Sequence, residues 1–259
     1  MSKFYLFSLA SISAILVALT GCNSSQTTSP SPSTSATQSP AVTTELTATT
    51  ETKDADYMVS LGLMKGHLIV AKELLDQGKP DQAEPHVGHP VEEIYADVES
   101  ELSARKVPEF KTTLNQLHEL VKSTPKDPKL ATQYEAAIKA IDQAIAAVPE
   151  TKRQSPEFVL EVINGLLDTA NEEYEAAISE GKFSEIIEYQ DSRGFVIYAE
   201  TLYQGISESI RKDNPNRAET ITASFAELKK AWPSAIPPTS PVITSEKVSQ
   251  LIETIKKNS

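Results

Sequence analysis

The sequence predicts an all-α protein: duplicated four-helix units, about eight helices in all, of the up-and-down bundle type. Three observations carry this. Apolar residues make up 39% of the 259 residues, yet there are only 9 glycines, too few for the frequent tight turns of a sheet-rich chain. From Asp54 onward apolar residues recur at steps of three and four, the period of a helix buried along its length. Finally, GKPDQAEPHVGHPVEEIYA at residues 78–96 is echoed at one constant offset by GKFSEIIEYQDSRGFVIYA at residues 181–199. Gly62 with Gly165 and Leu63 with Leu166 keep the same offset. The expected organisation is a leader at 1–21, a tether at 22–53, a first helical repeat at 54–150 and a second at 151–259.

The leader follows from residue order. Lys3 precedes an apolar run from Phe4 to Leu19, of signal-peptide length and short for a membrane span. The run ends in Leu19-Thr20-Gly21-Cys22, which resembles the bacterial lipobox. That resemblance implies that the Cys22 thiol receives a diacylglyceryl group, that cleavage occurs before Cys22, and that the new amino terminus is acylated. Cys22 is the only cysteine in the chain, so no disulfide competes for it. The expected address is extracytoplasmic, lipid-anchored to a bacterial membrane, with Asn23 favouring the outer one. Residues 23–53 are rich in Ser, Thr and Pro and nearly free of large apolar side chains. Such a segment cannot offset its ordering entropy by burial and is expected to be a disordered tether.

The helices are punctuated in turn. In the first, Tyr57, Leu61, Met64, Leu68, Ala71 and Leu75 form one stripe, with Leu63, His67, Val70 and Leu74 beside it, and Gly78 closes it. A short piece starts at Pro80, and Gly88-His89-Pro90 is expected to interrupt it, because a residue before Pro avoids the α region. A new helix then carries Val91, Ile94, Tyr95, Val98 and Leu102 inward. Asp191-Ser192-Arg193-Gly194 holds the matching place in the second copy, so a break is expected there too. Helices follow from Pro108, from Asp127-Pro128, from Ser155-Pro156, from Asn214-Pro215 and from Thr244-Ser245, each begun by Pro or by an oxygen-bearing cap.

The net charge of −12 argues against nucleic acid, since phosphate binding needs a basic surface. No HExxH, GxxxxGK[ST], GxGxxG or GxSxG signature occurs, so an enzyme is not the expected reading. What remains is imidazole. Of four histidines, His67, His86 and His89 fall close together, and His67 and His89 lie equally far on either side of Gly78. Antiparallel packing around that turn would bring them to one height, one helical turn from Glu92 and Glu93. Imidazole and carboxylate on facing helices are how bundles hold metals. The candidate metal ligands are therefore His67, His86, His89, Glu92 and Glu93, suited to Zn, Cu or Fe. Each also has a structural alternative: His67 in the core, His86 at a helix end, His89 as a cap, and Glu92 and Glu93 as first-turn acids. His118 is expected in solvent.

His89-Pro90-Val91-Glu92 is an HxxE sequence. The chain resembles the imelysin-like envelope proteins, duplicated helical bundles with a GxHxxE motif; it departs from that motif in carrying Val87 where the motif has Gly. The resemblance implies metal or iron handling, with His89 and Glu92 as the matched pair. Two function classes compete with metal binding: an adaptor lipoprotein docking an envelope partner, and an HxxE metallohydrolase. The anchor is tested by detergent phase partitioning: the native chain is expected in the detergent phase and Cys22→Ser in the aqueous phase, while an aqueous native chain contradicts it.

Overall fold

A computed structural model describes residues 41–259, with side chains from residue 53 onward. The leader, Cys22 and the tether as far as residue 40 lie outside the described residues. The elements run α1 (Ala41–Asp76), α2 (Pro80–His89), a π-helical turn (Pro90–Ile94), α3 (Tyr95–Ala104), α4 (Lys111–Ser123), α5 (Lys129–Ala146), α6 (Glu150–Arg153), α7 (Pro156–Ala176), a small hairpin of β1 (Ile178–Ser179) and β2 (Lys182–Phe183), α8 (Ile186–Asp213), α9 (Pro215–Leu228), a 3₁₀ turn (Lys229–Ala231) and α10 (Ser245–Lys257). The protein is all-α, and its one pair of strands among the described residues is the two-residue antiparallel ladder of β1 and β2.

Local chemistry explains most boundaries. Gly78, at φ +69°, ends α1: its N–H donates to the Leu75 carbonyl, and the Lys79 N–H reaches back to Leu74. That pair of bonds is the Schellman closure, which needs a left-handed residue that Gly adopts without steric cost. Gly181, the repeat partner of Gly78, takes nearly the same φ of +73° in the β hairpin. Ser155, Asn214 and Thr244 cap α7, α9 and α10, accepting from the backbone N–H of Phe158, Arg217 and Lys247. Each satisfies a donor that the first helical turn leaves unpaired.

Three expectations are corrected. The first helix begins at Ala41, not near Asp54, because Pro40 is the last breaker and nothing in residues 41–53 interrupts the helical path. The chain does not break at Gly88-His89-Pro90. His89 is helical at φ −51°, ψ −44°, and the backbone widens into a π turn, which accommodates Pro90 without a matching N–H. Nor does it break at Asp191-Ser192-Arg193-Gly194, which lies inside the continuous helix α8.

The centre of the body is α1, α2, α7 and α8. Helix α8 packs along both α7 and α1, and α1 packs in turn along α2 and α7. Helices α4 and α5 cover α2 and α1, while α9 and α10 cover α8 and α7. Both expected repeats thus share one compact unit. Leu61, Met64, Leu68 and Ala71 of α1 are fully buried, as are Leu166, Leu167 and Ala170 of α7. Each large side chain among them contributes roughly 1.5–3 kcal/mol on removal from water. None of the described helices is long and apolar enough to cross a membrane.

Helices α1 and α8 meet backbone to backbone where Gly66 faces Gly194. A Cβ on Gly194 would run into the carbonyl oxygen of Gly66, and one on Gly66 would meet the Phe195 ring and the backbone of Gly194. Gly194→Ala is expected to destabilise by about 2–3 kcal/mol, a fall of about 5–10 °C in Tm. Gly205→Ala, on the same helix with nothing near its added carbon, is expected to stabilise by about 0.5–1 kcal/mol. Thermal denaturation followed by circular dichroism checks both, and equal effects would contradict the tight crossing.

Candidate metal centre

The glycine crossing sets His67, the residue after Gly66, against Asp191, one turn before Gly194. His86 and His89 come from the last turn of α2, three residues apart and so on one face. Asp191 Oδ1 lies 2.6 Å from His67 Nδ1 and 2.6 Å from His86 Nδ1. Its Oδ2 lies 3.3 Å from His89 Nδ1. That last pair attracts as charges but lacks hydrogen-bond alignment, so His89 Nδ1 is buried with no hydrogen-bond partner. The His67 and His89 rings meet edge to face with centroids 4.9 Å apart. One ligand atom from each of the four residues fits within a span of 4.8 Å.

Burial governs the electrostatics. His67 is 5% exposed, His86 0% and Asp191 3%. Burial alone would raise the Asp191 pKa, but the charge and hydrogen bond of His67, the hydrogen bond of His86 and the nearby His89 ring hold it well below the usual carboxylate range. Burial pushes His67 below the ordinary imidazole value, against the pull of Asp191. At His89 burial acts downward too, yet Asp191, Glu93 and Glu188 outweigh it and hold that ring above its ordinary value. The result is an ionised carboxylate ringed by imidazoles.

A cavity of about 330 Å³ adjoins the cluster. His67, His89 and Asp191 line it together with Glu93, Glu173 and Glu188. The Glu93 side chain is 66% exposed and sits 3.9 Å from His89 Nε2, so the cavity leads from solvent to the cluster past carboxylates. Burial, with the charges of Asp191 and Glu188, pushes Glu173 up to about 7. A larger groove, about 630 Å³, runs along α4 and α5 past Gln116, Glu119 and Gln133 and contains none of these residues.

The donor set fits a metal ion. Three imidazoles and one carboxylate suit a first-row divalent cation. A tetrahedral ion with bonds of about 2.0–2.1 Å sets its ligands about 3.3 Å apart, so the 2.6 Å contacts need open by only a fraction of an ångström. The unpaired His89 Nδ1 is what such an ion would satisfy.

Of the five candidate ligands, His67, His86 and His89 converge and the two glutamates do not join them. Glu93 stands at the cavity wall. Glu92 turns away, its Oε1 3.6 Å from His118 Nδ1, because the π turn rotates it off the face that carries His89. The HxxE pair therefore does not converge. His86 is sealed in the core, not at a surface helix end, and His89 makes no side-chain cap bond. His118 is buried, not solvated, with Nε2 2.6 Å from Glu84 Oε1. Sequence reasoning missed Asp191 and its neighbour Gln190. A signal was there: the repeat offset sets Asp191 opposite Gly88, between His86 and His89.

Residues 149–259 match the model of the iron permease-associated 4-helix bundle domain. The match spans α6 to α10 and includes Asp191, while His67, His86 and His89 precede it. Searches of curated proteins and of solved structures gave no match.

The raised Glu173 sets a pH window. Its folded value of about 7 exceeds its ordinary 4.5, so the folded state keeps a proton that the unfolded state loses, and stability falls as pH rises between the two. Glu173→Gln removes that loss. Without metal, its Tm is expected above that of the native chain at pH 8 and equal to it at pH 4.5; equal Tm values at pH 8 would show that Glu173 is not desolvated.

Proposed function

We propose that this chain is a lipid-anchored extracytoplasmic protein that binds one divalent first-row transition ion in its His67–His86–His89–Asp191 cluster, with iron(II) as the cargo. The single observation that carries the reading is the convergence of three imidazole nitrogens on one buried carboxylate. The donor set alone accepts Zn, Cu or Fe. The match of residues 149–259 to an iron permease-associated domain favours iron, and a permease as the envelope partner that receives or delivers the ion. The start of that match at residue 149 supports a two-repeat chain whose site is assembled between the copies. Cys22 would keep the body on a membrane surface.

The chain's residues would divide the work. Asp191 supplies the negative charge that offsets a dication. His67, His86 and His89 supply borderline-soft nitrogens that prefer a divalent transition ion to harder ones. Glu93, Glu173 and Glu188 along the cavity raise the local cation concentration and offer weaker oxygen ligands during entry and exit. The mode is binding and transfer. A hydrolase reading needed His89 and Glu92 to act as a pair, and Glu92 faces His118 instead.

The full chain, titrated in detergent with Zn²⁺, Co²⁺ or anaerobic Fe²⁺, is expected to bind one equivalent. His67→Ala and Asp191→Asn are each expected to weaken binding at least about 100-fold, a loss of about 2.7 kcal/mol, while Glu92→Gln leaves it unchanged. Binding that survives Asp191→Asn, or no binding by the native chain, overturns the proposal.

A further inference from the structure

Gln190 precedes Asp191 on α8 and is 1% exposed. Its side-chain nitrogen donates to the Ala235 carbonyl at 3.0 Å and to Gln82 Oε1 at 3.2 Å. The Ala235 oxygen is backbone and can only accept, so it decides which end of the amide is which. Gln190 Oε1 must then be the atom that faces His86 Nε2, 2.8 Å away. An amide oxygen only accepts, so His86 Nε2 must carry a hydrogen. His86 Nδ1, on the side of Asp191 and His67, shares its hydrogen with Asp191 Oδ1 in the metal-free site, and that hydrogen is the one an entering ion would displace.

We propose that Gln190 is a positioning residue of the metal centre: it keeps the hydrogen on His86 Nε2 so that Nδ1 is the ligand atom. This rests on the metal-binding reading above. The arrangement is backed by further bonds. The Ala235 N–H donates to Glu73 Oε1 at 3.2 Å. Glu73 is held by Arg193 Nε at 2.9 Å, and Arg193 in turn donates to the Trp232 carbonyl at 2.6 Å. The segment from Trp232 to Ala235 thereby acts on the site through one amide. His86 is fully buried, so no solvent is available to take over from Gln190 if that amide is lost. Groups that orient a ligating imidazole from behind in this way typically change metal affinity about 10–100-fold when removed.

The test reads the two ring nitrogens of His86 by ¹⁵N NMR in metal-free full-length protein, and Co²⁺ affinity by titration. In the native chain Nε2 is expected to show the shift of a proton-bearing nitrogen. In Gln190→Leu the hydrogen on Nε2 loses its acceptor while Nδ1 keeps Asp191, so the Nε2 signal is expected to move toward that of a bare nitrogen, and Co²⁺ binding to weaken about 10–100-fold. Ser192→Ala removes another buried hydrogen bond of α8, to the Ala170 carbonyl. It is expected to lower Tm while leaving both readouts in place. A native His86 with bare Nε2 overturns the proposal, and this needs no variant to fold. Gln190→Leu binding Co²⁺ as tightly as the native chain also overturns it. Failure of the metal-binding reading itself would look different: a native chain with Nε2 protonated that takes up no Co²⁺.

Discussion

The crossing of α1 and α8 at Gly66 and Gly194 is the constraint on which the site depends. Two helices normally keep 8–10 Å between axes because side chains intervene. Here neither helix has a side chain at the point of contact, and the backbone of one meets the backbone of the other. That proximity delivers Asp191 to His67. Any residue larger than Gly at 194 would push the helices apart and withdraw the carboxylate from the imidazoles. The core stripes of α1, α7 and α8 hold the helices together, but the glycines set the distance.

The second requirement is a place for the Asp191 charge. An ionised carboxylate taken out of water costs several kcal/mol unless it is paired and hydrogen-bonded. Asp191 has three imidazoles around it, two of them at 2.6 Å through the same oxygen. Imidazole is the side chain that can supply either a proton or a lone pair in that position. The same geometry therefore serves two states. Without an ion, protons link His67 and His86 to the carboxylate; under the metal-binding proposal, the nitrogens and carboxylate would share an ion and those protons would leave. The acidic cavity fits this view, since a cation reaching Asp191 from solvent passes Glu93, Glu173 and Glu188 on the way.

Much of this was legible in the residues alone, and the parts that were not share a cause. Helix starts at Ser155, Asn214 and Thr244 were readable because a cap acts within three residues of itself. The meeting of His67 and His89 was readable because both count outward from one tight turn at Gly78. Asp191 was missed because its partners lie 105 and 124 residues away, and sequence spacing says nothing about a crossing made by glycines. The repeat offset pointed to position 191, but Asp-Ser-Arg-Gly reads locally as a turn, and tertiary packing overrode that preference. His118 was read as solvated for the same reason: the Glu84 and Glu92 side chains that cover it come from other elements. Glu92 went astray because a π turn changes the direction in which its residues point, and a count at the ordinary α-helical period does not anticipate that.

The most direct test of the proposed metal centre is X-ray absorption at the metal edge of the full chain loaded with one equivalent of Zn²⁺. The predicted first shell is dominated by imidazole nitrogens with one carboxylate, at about 2.0–2.2 Å. A shell of oxygen alone, as from the cavity glutamates or solvent, would contradict it.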